Sequence, residues 1–154
     1  MKEIRPLDDI DRTLVRLLSD DGRMANRALA AALGIAESTC LARLKSLRER
    51  GVITGVHAHT DPAAAGRPLT TMIFIRFKQH KREDFTRWRA DLTALPGVIA
   101  GWHLSGTYDY VVQVATESPD ALRDFVFDNL SSHPYVARVE TSLVFDSVTG
   151  PGLF

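Results

Sequence analysis

The chain has 154 residues, 45% of them apolar and 25% charged, with 19 basic and 19 acidic side chains that cancel to zero formal charge. That is enough for one domain or two small ones of ordinary globular composition, and no apolar run approaches the roughly 18–20 residues of a membrane span. The opening Met-Lys-Glu-Ile-Arg-Pro lacks the apolar core of a secretory signal, and the one cysteine excludes an intrachain disulfide, so the expected location is cytoplasmic.

The first predicted helix runs from Asp8 to Ser19. Asp8 is placed to cap it, Asp11 lies in its first turn, and Ile10, Leu14, Leu17 and Leu18 form an inward stripe. Asp20-Asp21-Gly22 ends it. A second helix is predicted from Asn26 to Leu33, capped by Asn26, with Leu29, Ala30 and Leu33 inward. Gly34 then supplies the left-handed backbone for a sharp turn into a third helix, from about Glu37 to Arg50. Its apolar positions Cys40, Leu41, Leu44 and Leu47 make one buried stripe. The opposite face carries Ser38, Thr39, Ala42, Arg43, Ser46 and Arg50, with Glu37 at the start. Short polar groups near the N-terminus and cations further on are what a helix needs to enter a major groove and hold its phosphates. Gly51 to Val56 reads as a short strand or wing.

The neutral total hides an uneven distribution. Residues 23–50 hold Arg23, Arg27, Arg43, Lys45, Arg48 and Arg50 against Glu37 and Glu49, while Asp8, Asp9, Asp11, Asp20 and Asp21 sit apart. A basic face on a neutral chain suits phosphate binding, although on charge alone a solvated helix face fits equally well.

Thr60 to Pro68, with two prolines and a glycine in nine residues, marks a joint. Beyond it the pattern changes. Thr70 to Lys78 alternates as a strand, with Met72, Phe74 and Arg76 on one face and Ile73, Ile75 and Phe77 on the other. Glu83 to Leu95 is predicted helical, carrying Phe85, Trp88 and Leu92, and stops at Pro96-Gly97. Val98–Leu104 and Tyr108–Ala115 are strands joined through Ser105-Gly106-Thr107, and Pro119–Leu130 is a helix with proline in its first turn. Val136–Phe145 is the last strand. Strand-helix-strand-strand-helix-strand is the ferredoxin-like split arrangement. Leu143, Val144 and Phe145 are apolar at both parities, which implies burial on both faces and a second copy as cover. The fold class is therefore α+β. The expected organisation is a helix-turn-helix domain over 1–55, a linker with a short strand over 56–69, a ferredoxin-like domain over 70–147 and a tail over 148–154.

The chain resembles the Lrp/AsnC family, the leucine- and asparagine-responsive "feast/famine" regulators of bacteria and archaea. The resemblance spans about residues 7–147. It rests on Leu7-Asp8-Asp9-Ile10-Asp11, Asp21-Gly22-Arg23, Leu33-Gly34-Ile35, Cys40-Leu41-Ala42-Arg43-Leu44, Gly51-Val52-Ile53-Thr54-Gly55 and Asp61-Pro62. Its most specific segment is His103-Leu104-Ser105-Gly106-Thr107-Tyr108-Asp109-Tyr110. The resemblance implies double-stranded DNA as a partner, dimers often assembled into octamers, and an amino acid or similar small molecule bound between sensing domains. It also implies that Val56 to Thr60 helps tie two protomers together. Two places depart from the family pattern. Ala25 and Ala28 stand where a Ser or Thr cap and its paired acid are usual, and Ala36-Glu37-Ser38-Thr39 replaces the common Ser-Pro-Thr-Pro.

The DNA-contact candidates are accordingly Glu37, Ser38, Thr39, Arg43, Ser46 and Arg50, with Glu37 able to accept from a cytosine amino group. The effector candidates are Leu104, Gly106, Thr107, Tyr108 and Asp109. Backbone N–H groups around Gly106 suit an α-carboxylate, and Asp109 suits an α-ammonium, unless that aspartate merely caps its own turn. Leu104 and Tyr108 would favour a hydrophobic or aromatic side chain. Cys40 falls on the apolar stripe as a small core residue. His57-Ala58-His59 offers two imidazoles without a matching third ligand, so neither metal nor cofactor is expected. No triad or paired carboxylate signals catalysis. The alternative is an enzyme of the same fold like the tetrapyrrole decarboxylases, for which His103 and Arg138 would be the nearest catalytic groups.

Overall fold

The structure, a computed structural model, describes residues 6–78, 82–148, 150 and 153. The opening Met-Lys-Glu-Ile-Arg and most of the expected 148–154 tail lie outside the described residues. Two compact units form, the first taking the residues up to His59 together with those from Val148 onward and the second spanning Thr60–Ser147.

The first unit holds α1 (Asp9–Asp20), α2 (Asn26–Leu33) and α3 (Glu37–Glu49). Asp8 caps α1 as the sequence suggests, its Oδ1 accepting from the Asp11 N–H at 2.8 Å. Gly34 ends α2 at φ 65°, and the Ile35 N–H donates back to the Ala30 carbonyl at 3.1 Å. Leu14, Leu29, Ala30, Cys40, Leu44 and Leu47 form the core.

Three expectations need correction here. Asn26 does not cap α2: Ala25 holds that place without a side-chain bond, and the Asn26 Nδ2 instead donates across to the Glu37 carbonyl at 3.0 Å. That bond ties the start of α2 to the start of α3. Leu41 is not on the buried stripe but 59% exposed. Gly51 to Val56 forms no strand, because Val52 and Ile53 both donate their N–H to the Leu47 carbonyl, at 2.9 and 3.2 Å, and fold back under α3.

The second unit is a four-stranded antiparallel sheet ordered β2-β3-β1-β4, from β1 (Leu69–Phe77), β2 (Val98–His103), β3 (Tyr110–Thr116) and β4 (Val136–Leu143). Helices α4 (Arg82–Thr93) and α5 (Pro119–Val126) both contribute to one core, where Trp88, Leu92 and Leu122 meet Ile73, Ile75, Phe77, Tyr110, Val112 and Val114. The predicted helix to Leu130 is interrupted: from Phe127 to Ser131 the backbone widens into a π-helical turn. Both helices lie on one side, so the alternate residues Met72, Phe74, Trp102 and Val111 face the other side, with Trp102 45% exposed. Leu143 and Phe145, 48% and 95% exposed, are not buried on either face within this chain.

Candidate nucleic-acid interface and ligand loop

Helix α3 turns three buried residues inward and leaves Glu37, Ser38, Thr39, Leu41, Ala42, Lys45, Arg48 and Glu49 exposed. Positions three and four apart share a helix face, so Ser38, Ala42, Lys45 and Glu49 form the strip opposite the core, with Leu41 exposed at its flank. Ser46 is half-buried beside that strip.

Arg43 and Arg50 sit differently from the outward face on which the sequence pattern sets them. The Arg43 Nη1 lies 2.7 Å from Asp8 Oδ2 and 2.7 Å from Asp11 Oδ1, and Arg50 Nη1 lies 3.5 Å from Asp11 Oδ2. The Asp11 side chain is only 9% exposed, so an unpaired charge there would be poorly solvated. The two arginines meet that need and bind α3 to the start of α1. The Asp11 N–H, followed by the Arg43 guanidinium, holds Asp8 below its ordinary carboxylate value, and Asp8 and then Asp11 push Arg43 up. Burial pushes the Cys40 thiol up, which keeps it protonated and unreactive.

In the second unit the β2–β3 connection is held at its ends and open at its tip. The Leu104 N–H donates to the Asp109 carbonyl at 2.9 Å, and the Asp109 N–H donates to the Ile75 carbonyl at 3.0 Å. The Asp109 Oδ2 accepts from the Phe77 N–H at 2.7 Å, so this carboxylate anchors the end of β1 rather than its own turn. Gly106 has φ 141°, a region other residues rarely adopt, and no atom lies within 4 Å of where its Cβ would be. Thr107 is exposed and Tyr108 half-buried.

Tyr108 leads to a residue that the sequence reading missed. Its ring centroid lies 5.2 Å from that of Phe74, and its hydroxyl donates to Glu140, whose Oε1 lies 2.6 Å from Arg138 Nη2. Glu140, which pairs with Phe74 in the β1–β4 ladder, thus brings a second carboxylate to this corner and pushes the Tyr108 hydroxyl pKa up. Nothing local in the sequence marks Glu140; only the strand register reveals it.

The remaining candidates have ordinary surroundings. His103 packs its ring 4.7 Å from Phe85, and Arg138 is engaged by Glu140, so the two have structural partners. Among the described residues no three His, Cys, Asp or Glu side chains are grouped to hold a metal ion, and no helix is long and apolar enough to cross a membrane.

Residues 7–54 match the family model of a winged helix-turn-helix DNA-binding domain, and residues 70–151 match that of the Lrp/AsnC ligand binding domain. The chain is 40% identical over 146 residues to the HTH-type transcriptional regulator AldR of Mycolicibacterium smegmatis, covering 95% of this chain and 85% of that one. It is 31% identical to the DNA-binding transcriptional activator DecR of Escherichia coli, covering 92% and 93% of the two chains. Among solved structures it is similar to a Neisseria meningitidis transcriptional regulator in complex with L-Met, with a TM-score of 0.84, 29% identity and 94% of each chain covered. These relatives are named as regulators, which sets aside the decarboxylase alternative. An α+β chain with a winged helix-turn-helix, a split four-stranded ligand domain and such relatives belongs to the Lrp/AsnC family of DNA-binding transcriptional regulators, and is not an enzyme.

Proposed function

We propose that this regulator responds to an amino acid held at the Leu104–Asp109 loop, and that its DNA-binding form is a dimer built on the uncovered face of the sheet, in the cytoplasm. The observation that carries the effector reading is the loop itself. Gly106 and Thr107 offer exposed backbone donors to a carboxylate, while Asp109 and Glu140 supply carboxylates for an ammonium group. A zwitterion complements that pairing better than a purely apolar or purely anionic ligand. The L-Met complex of the Neisseria protein supports the class of ligand. Leu104, 38% exposed, and the Tyr108 ring favour a hydrophobic or aromatic side chain.

Calorimetry against the common amino acids is expected to find one or a few binders. Asp109→Asn keeps an oxygen for the Phe77 N–H but removes the charge, so it should weaken that binding roughly tenfold or more and leave DNA binding by the ligand-free protein intact. Absence of any amino-acid binding, or an unchanged affinity in Asp109→Asn, would reject the assignment.

The dimer reading rests on Trp102, 45% exposed, and the half-buried Met72 and Phe74, on a face that neither helix of the unit covers. A two-fold dimer would set two α3 helices on half-sites about one helical turn, roughly 34–36 Å, apart, with Ser38, Thr39 and Ser46 among the contacts. Glu37 stands exposed at the start of α3, where it can select a cytosine amino group. Effector binding acts by favouring one arrangement of the recognition helices over another, which requires differential affinity for the two. Octamers are assemblies of the same dimer. Sedimentation at micromolar concentration should give dimers or larger species; a well-folded monomer would remove the half-site model.

A further inference from the structure

Helix α3 exposes one large apolar side chain on its flank, between the buried stripe and the outer face. Leu41 is 59% exposed, whereas Cys40, Leu44 and Leu47 on the same helix are 0%, 6% and 0% exposed. Its neighbours on the outer face are Ser38, Ala42 and Lys45, all exposed. Serine and alanine are shorter than leucine, so the Leu41 methyl groups project beyond them toward whatever the helix approaches. Lys45, one turn further on and 77% exposed, supplies the cation for a flanking phosphate. A single exposed leucine is ordinary on a protein surface. This one stands beside the outward strip of Ser38, Ala42 and Lys45, on a helix of the kind that enters a major groove, where a polar or small side chain would be easier to solvate.

The chemistry of that groove selects the occupant. Base-pair edges there present hydrogen-bonding groups and one apolar group, the C5 methyl of thymine. A leucine offers no hydrogen bond and gains free energy only by removing apolar surface from water. We propose that Leu41 is a specificity-determining residue that packs on a thymine methyl in each half-site. The inference rests on α3 being the DNA-reading helix, and it adds to that reading a base preference and the residue responsible for it.

The test uses the full chain and DNA duplexes that it selects from a random-sequence pool. Each thymine of a selected duplex is replaced in turn by deoxyuridine, which removes only the methyl group. Affinities of the wild type and of Leu41→Ala are then measured by fluorescence anisotropy at fixed salt. At one thymine per half-site the replacement should weaken the wild type about 3- to 10-fold. Leu41→Ala should be indifferent to that replacement and should bind unselected DNA as the wild type does. A wild type indifferent to every replacement overturns the proposal, as does a Leu41→Ala variant that keeps the full penalty or a selected duplex without thymine. The wild-type scan stands whether or not the variant folds. Failure to enrich any duplex would instead refute α3 as a sequence reader, and the methyl contact with it.

Discussion

Trp88→Ala is expected to destabilise the second unit by about 3–5 kcal/mol, the range for deleting a large buried aromatic side chain. Trp88 is 3% exposed and sits at the centre of an aromatic cluster. Its ring centroid lies 4.7 Å from Phe77 and 5.3 Å from Tyr110, both met edge-on, and 6.2 Å from Phe85. The residues around the missing indole come from β1, β3 and α4, and strands held in a ladder cannot close the gap by moving singly. Such a loss is a large part of the 5–15 kcal/mol typical of a whole domain. The chain has two tryptophans, so in this variant Trp102, on the sheet face away from the helices, becomes the sole tryptophan reporter. Urea unfolding followed through Trp102 should show the midpoint fall steeply. A shift worth less than about 1 kcal/mol would mean that the cluster repacks, and that α4 is held by something other than Trp88.

The features that could be read in advance were local ones. Asp8 as a cap, Gly34 as a left-handed turn and the alternation of Ile73, Ile75 and Phe77 against Met72, Phe74 and Arg76 each depend on residues a few positions apart, and the structure bears each out. The order of strands and helices followed from the same patterns. Features that escaped depend on distant partners or on the edge of a stripe. Leu41 shares its spacing with Cys40, Leu44 and Leu47, and periodicity alone does not say which edge of an apolar stripe faces solvent. Asn26 reaches Glu37 instead of its own helix because the Gly34 turn brings the start of α3 beside it. Glu140 meets Tyr108 across 32 residues of sequence. The π-helical turn after α5 was also invisible, since Pro119–Leu130 keeps a helical composition throughout. Yet the wider turn returns Leu130 to the core, where it is 0% exposed, and the Ser132 hydroxyl closes it by donating to the Phe127 carbonyl at 2.7 Å.

Arg43→Ala should separate a structural arginine from a DNA-contacting one. The guanidinium bridges Asp8 and Asp11, and without it the buried Asp11 loses its 2.7 Å partner and is left with Arg50, whose Nη1 lies 3.5 Å away. Leaving a buried carboxylate short of a partner costs about 1–3 kcal/mol, so the midpoint of the first unit should fall by a corresponding amount. Arg43→Lys should recover only part of that, because a point charge does not reproduce the fixed fork of donors. The acid limb provides an independent check. Asp8 lies below its ordinary value of 3.8, so its contribution is fully present above that pH and is lost as pH falls through the lower folded value. The wild-type helical unit should therefore lose stability on acidification from about pH 4. In Arg43→Ala the loss should be smaller but not absent, since the Asp11 N–H, the first cause of the Asp8 shift, remains. DNA affinity decides the role. If Arg43 acts by holding α3 against α1, the variant should regain most of its binding at temperatures well below its melting midpoint. A variant as stable as the wild type that still fails to bind would return Arg43 to the DNA-contacting face.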